Sequence, residues 1–289
     1  MGHIRLGVLL KSKKWNRVVE ELRLGADVSE IASATAAAAE TSLENASADP
    51  AFLHAFWLLT QIPLAARGPE FIEDLLQLGV TVSVPPGLMD LLAGFSAAVD
   101  QNARARGGRT DLGEMAQMAA VESLAAMVGP MLPSLFRPSP EEVQRAIGRF
   151  GSGDRFSALA REFFARLTQR TLDYYLSREL SAHIGPDERF ADDRERAIFD
   201  AALNQHCCEA SRIVEAFAGG WYGKNVYHGD GLTPEAVKRF APVAFKKIRA
   251  ELRKRRDAHA CSSSAAALAD RASPTRQHCA LISMGHRGM

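Results

Sequence analysis

Apolar residues recur at three- and four-residue spacing along most of this chain, the pattern of helices that each bury one face. Trp15, Val18, Val19 and Leu22 form one stripe, and Met115, Met118, Ala119 and Leu124 contribute to another. The longest stripe joins Phe156, Leu159, Phe163 and Leu167 to Leu172, Leu176, Leu180 and Ile184. It predicts about thirty residues of helix with one shift of register near Arg170. The most apolar segment, AFLHAFWLLTQIPLAA, is shorter than the ~20 residues a membrane-spanning helix needs. It also carries His54, Gln61 and Pro63, and it predicts a buried central helix.

Helix boundaries are legible in the punctuation. Asp49-Pro50, Ser139-Pro140-Glu141-Glu142 and Thr233-Pro234-Glu235 each set a capping side chain before a proline at the first helical position. Glu142 stands where a capping box would reach back to the Ser139 amide. Gly25, Gly185 and Gly219-Gly220 are expected to end helices. Strand signals are confined to GHIRLGVLL near the start and VTVSV at 80–84, which would pair as one small ribbon. Between Gly219-Gly220 and Thr233, the stretch WYGKNVYHGDGL predicts a loop pinned by aromatic plugs.

The fold class expected is all-α, a multi-helix bundle of about eight to ten helices in two packed halves. The halves are 1–135 and 139–256, joined by a proline-rich soft joint; 257–289 is expected to be a mostly disordered tail, because periodicity fades after Arg256.

Composition adds limits rather than a function. Hydrophobic content of 47% with 24% charged residues suits a protein that buries a real core, and a net charge of +1 gives no global pull towards nucleic acid or membrane. The start of the chain carries no secretory signal pattern, and four cysteines, two of them adjacent, do not suggest a disulfide framework. The expectation is a cytoplasmic protein with no membrane partner, of bacterial type by its Ala- and Arg-rich composition.

Candidate chemistry is sparse. His206-Cys207-Cys208 offers metal-ligand types, but neighbouring residues on a helix point about 100° apart and no CxxC or HxxxH accompanies them. No metal site and no cofactor are expected. GxxxxGK[ST], GxGxxG after a strand and GxSxG are all absent. Gly151-Ser152-Gly153-Asp154 opens a helix and can serve as an anion site or an ordinary cap. A polar pocket could be assembled from His54, Gln61, Glu114 and Gln117, with Arg109 or His54 as the partner that a buried Glu114 requires. Asp173 and His183 are further acid–base types on the long helix, where Tyr174 and Arg178 make an i, i+4 stacking pair. The last basic run, FKKIRAELRKRR, sets Lys246, Lys247, Arg249, Arg253, Lys254, Arg255 and Arg256 around an inward stripe of Phe245, Ile248 and Leu252. Such a face can neutralise phosphates or meet an acidic protein surface. Together with Trp221, Lys224, Tyr227 and His228 it is the expected contact surface.

Two functions follow as expectations. The first is a non-catalytic helical interaction protein, an accessory or adaptor subunit of a bacterial multi-protein system for defence or nucleic-acid processing, meeting a protein partner or a nucleic-acid backbone through its basic last helix. The second is a helical enzyme built on the His54, Gln61, Glu114 and Gln117 pocket.

Overall fold

A computed structural model describes residues 12–41, 43, 48–133, 137–228 and 231–271, with side chains as far as 261 and excepting that of 228. The named elements among them are all helical. α1 (Lys13–Arg23) and α2 (Val28–Ala38) form a hairpin closed by Gly25, whose φ of 73° is the left-handed conformation expected past a helix end. α3 (Pro50–Ala65) is the apolar helix, begun by the Asp49 carboxylate accepting from the Phe52 amide at 2.8 Å. α4 (Phe71–Gln77), α5 (Leu88–Ala105) and α6 (Asp111–Val128) follow. α7 (Pro140–Gly148) opens on the expected capping box: the Ser139 hydroxyl accepts from the Glu142 amide at 3.2 Å, and the Glu142 carboxylate accepts from the Ser139 amide at 2.8 Å.

α8 (Gly153–Leu180) is the long helix, unbroken over 28 residues. α9 (Asp193–Ala210), α10 (Arg212–His228) and α11 (Pro234–Arg271) complete the fold. α8 packs on α6, α9 and α10, while α3 packs on α5, α6 and α11, and α11 also lies on α2. The core is aromatic at its centre. The Phe56 ring of α3 has Phe163 and Phe164 of α8 with centroids at 5.2 Å and Phe240 of α11 at 5.5 Å. Buried residues from before and after the proline-rich joint belong to one hydrophobic cluster.

Two local expectations are corrected. The 80–84 segment forms no strand; it lies against α5, so close that a Cβ at Gly94 would stand 2.4 Å from the Thr81 carbonyl oxygen. The other half of the expected ribbon, GHIRLGVLL, lies outside the described residues. The second correction is the aromatic loop. Gly219-Gly220 do not stop a helix, because α10 continues through them to His228 and carries Trp221, Tyr222, Lys224 and Tyr227 as helical residues. At the far end α11 extends past Arg256 to Arg271, and residues 272–289 of the expected tail lie outside the described ones.

Candidate functional site

α11 buries Val237, Phe240, Ala241, Ala244, Phe245, Ile248 and Leu252 against the bundle. Three- and four-residue spacing then fixes what faces away from it. On that outer side Lys238, Arg239, Lys246, Lys247, Arg253 and Lys254 are exposed. The stretch from Lys238 to Lys254 extends about 24 Å at the helical rise. Of these cations Lys254 has an ion-pair partner among the described residues, Glu251 at 2.7 Å.

The rest of the expected basic set behaves differently. Arg249 pairs with Glu40 at 2.9 Å, Arg255 with the Glu209 carboxylate and carbonyl, and Arg256 with Asp257 at 2.8 Å. Arg249 and Arg255 thus tie α11 to its neighbours in the bundle, while the lysines and Arg253 stand outward.

The first turns of α11 run beside the end of α10, and between them lies a cavity of about 390 Å³. Phe217, Trp221, Lys224 and Asn225 line it from α10; Arg239, Phe240 and Val243 line it from α11. Trp221 is held by the core: its ring stands 4.4 Å from that of Phe240 and 6.2 Å from that of Phe56. Phe217 lies 5.2 Å from Phe240, and the Lys247 ammonium sits 5.3 Å above the Phe217 ring. Tyr222, one position on, points the other way. It is buried, stacks at 4.1 Å on Phe156 and donates its hydroxyl to the Thr60 carbonyl at 3.3 Å.

Tyr227 is 68% exposed beyond the groove, and the side chain of His228 lies outside the described residues. Sequence reasoning placed Trp221 and Lys224 here but missed Lys238, Arg239 and Val243. The signal was present: the inward stripe starts at Val237 rather than Phe245, and extending it back puts those three on the outer face.

The helix positions themselves are set by glycine. A Cβ on Gly219 would stand 3.0 Å from the Gly153 carbonyl oxygen, and one on Gly153 would stand 2.9 Å from that of Gly219. Gly151-Ser152-Gly153 is therefore a packing device. Arg67 reinforces it by donating to the Gly151 carbonyl at 2.8 Å, and a Cβ on Gly151 would lie 2.5 Å from Arg67 Cδ.

The four residues of the expected polar pocket do not meet. Gln61 donates to the Leu232 carbonyl at 2.9 Å, alongside the Trp57 indole N–H at 2.8 Å, and so anchors the chain just before α11. His54 stacks on Trp57 at 5.5 Å; burial and then the Arg106 charge push its pKa down to about 4. Glu114 and Gln117 instead line a separate cavity of about 410 Å³ with Ser96, Asp100, Arg109 and Glu122. Arg109 is the partner of Glu114, at 3.8 Å, and it binds Asp100 more closely at 2.6 Å. Gln117 donates to the Ser96 carbonyl at 3.1 Å, and Glu122 is held by Arg166 and Arg170.

Asp173 faces α9, where burial and then the Asp200 charge raise its pKa to about 6 against the pull of Arg170 and Arg196. His183 lies beyond the end of α8, buried, with Nδ1 at 3.3 Å from the Glu188 carboxylate. Asp173 and His183 are therefore separate environments. Tyr174 and Arg178 do stack, with the guanidinium 5.4 Å from the ring centroid. Cys207 is buried and its thiol pKa is raised by that burial, while Cys208 is half-buried on a different face. Among the described residues no group of three or more His, Cys, Asp or Glu is placed to hold a metal ion. Nor is any described helix long and apolar enough to cross a membrane.

Comparison with protein-family models, with curated proteins and with solved structures finds no match. The fold itself defines the class: an all-α bundle whose last helix carries a cationic outer edge. The particular feature that distinguishes it is the aromatic groove at the head of that edge, lined by Trp221, Lys224 and Arg239.

Proposed function

We propose that this chain is a non-catalytic helical interaction protein, an accessory or adaptor subunit that holds a nucleic-acid backbone along the outer face of α11. One observation carries the reading: the cations of α11 are sorted, with Arg249 and Arg255 bonded into the bundle and Lys238, Arg239, Lys246, Lys247 and Arg253 left on one exposed side. A row of cations along about 22 Å of helix matches a repeating phosphate chain, whose binding releases counterions and so weakens steeply with salt. The dispersal of His54, Glu114, Asp173 and His183 into separate environments further favours a binding protein over an acid–base catalyst.

The test is binding of a fluorescent oligonucleotide to the full chain across a salt series. Lys246→Glu combined with Lys247→Glu and Arg253→Glu should weaken binding at least tenfold and flatten the salt slope, because about three phosphate contacts are lost. The unfolding midpoint should stay unchanged. Wild-type protein that ignores both single-stranded and duplex DNA at low salt would remove the proposal. If polyglutamate displaces the oligonucleotide at equal charge, the surface serves an acidic protein instead.

A further inference from the structure

Resting on that reading, we infer that the groove at the α10–α11 junction receives an unpaired base, so that the protein selects single-stranded over duplex nucleic acid. The groove differs chemically from the rest of the cationic edge. It is lined by Phe217, Trp221 and Phe240, whose rings are packed within 5.2 Å of one another in the pairs Phe217–Phe240 and Trp221–Phe240. Phosphate has no use for such a lining, whereas a nucleobase has two apolar faces and can stack on the partly exposed rings of Phe217 and Trp221, which the buried Phe240 supports from below.

Charge brackets the aromatic floor. Lys224 lines the groove from one helix and Arg239 from the other, and Lys247 stands over Phe217. Cations are therefore available on both sides for the phosphates that flank a stacked base. Val243, 44% exposed, and the Asn225 side chain complete the lining. Asn225 donates to the Trp221 carbonyl at 2.7 Å, which fixes its side chain against α10.

The groove is also preorganised. Trp221 belongs to a helix packed on α8 by the Gly153–Gly219 contact, and its ring is supported by Phe56 and Phe240 from two other helices. A platform held this way does not have to be ordered when ligand arrives, which favours affinity. Within a duplex, bases are stacked on each other and cannot reach it; an unpaired strand can lay one base here and continue along the cations of α11.

The experiment compares a thymidine oligonucleotide with a duplex of equal length, by anisotropy, on the full chain and on Trp221→Leu. A second oligonucleotide carries 5-iodouracil for photo-cross-linking to the unaltered protein. The wild type should prefer the single strand by about tenfold, the scale of one base stacked on an aromatic ring. Trp221→Leu should lose that preference and keep its duplex affinity, and the cross-link should map to the peptide containing Phe217 and Trp221. If single strand and duplex bind equally and cross-links map only to α11 beyond Lys246, the base site is refuted while the phosphate-binding edge stands. If neither binds, the edge itself is refuted. Should Trp221→Leu fail to fold, the cross-link position in the wild type decides.

Discussion

Asp173 and His54 are two ionisable groups whose burial works in opposite directions. The Asp173 carboxyl rises from 3.8 to about 6, chiefly because burial disfavours the anion and then because Asp200 repels it. The folded state thus prefers the neutral acid. That contribution is fully present below pH 3.8 and is lost as pH rises through about 6. Asp173→Asn should stabilise the protein at neutral pH by about 1 kcal/mol, the shift being discounted for partial solvent screening. At the acid end of the range the same substitution should do nothing. Urea midpoints at the two pH values check this, and an equal gain at both would show that charge is not the cause. His54 has the reverse sign. Its value falls from 6.5 to about 4, so its contribution is present above pH 6.5 and is lost as pH falls through about 4. His54→Gln should therefore flatten the stability profile across that window, as read from thermal midpoints over a pH series.

At the scale of the element, α10 shows how tertiary contact overrides a local signal. A pair of glycines reads as a helix stop, since glycine lowers helix propensity by up to about 1 kcal/mol per residue. Gly219 instead lies where α10 crosses α8, and its missing Cβ lets the backbones touch at Gly153. Gly220 and Gly223 face open space. The three positions therefore separate cleanly. Gly219→Ala should destabilise by about 1–3 kcal/mol through overpacking against a backbone carbonyl that cannot move aside. Gly220→Ala and Gly223→Ala should each stabilise by about 0.5–1 kcal/mol through helix propensity alone. Denaturant unfolding of the three single variants reads the difference. A Gly219→Ala protein as stable as Gly220→Ala would mean that the close crossing is unimportant.

For the molecule as a whole, the last helix carries both structure and surface. Arg255 bonds to both the side chain and the backbone carbonyl of Glu209 on α9, so Arg255→Ala should lower the unfolding free energy by about 1 kcal/mol and leave polyanion affinity nearly unchanged. The outer-face lysines should show the reverse pattern. Measuring both properties on both variants tests whether the charges are divided between two jobs.

Much of this architecture was legible in the chain. The stripe from Trp15 to Leu22, the cap at Asp49 and the capping box at Ser139 are local features, written by spacing and side-chain chemistry, and they appear where they were read; the long stripe from Phe156 was read to Ile184, and its helix ends at Leu180. An all-α fold follows from them. The aromatic groove was legible only in part. Trp221 and Lys224 stood out as types, but their setting was misjudged because nothing in FAGGWYGKNVYH says that Gly219 meets Gly153, sixty-six residues earlier in the chain. The VTVSV alternation failed for the same reason: period two marks a candidate strand, and only a spatial neighbour decides whether it pairs, which here is the helix surface at Gly94 rather than another strand. The basic run shows the division most plainly. Sequence by itself determined that α11 is amphipathic and cationic. Only the tertiary structure decided which cations remain on the surface, because Glu40 and Glu209 come from distant helices and charge pairing depends on distance in space.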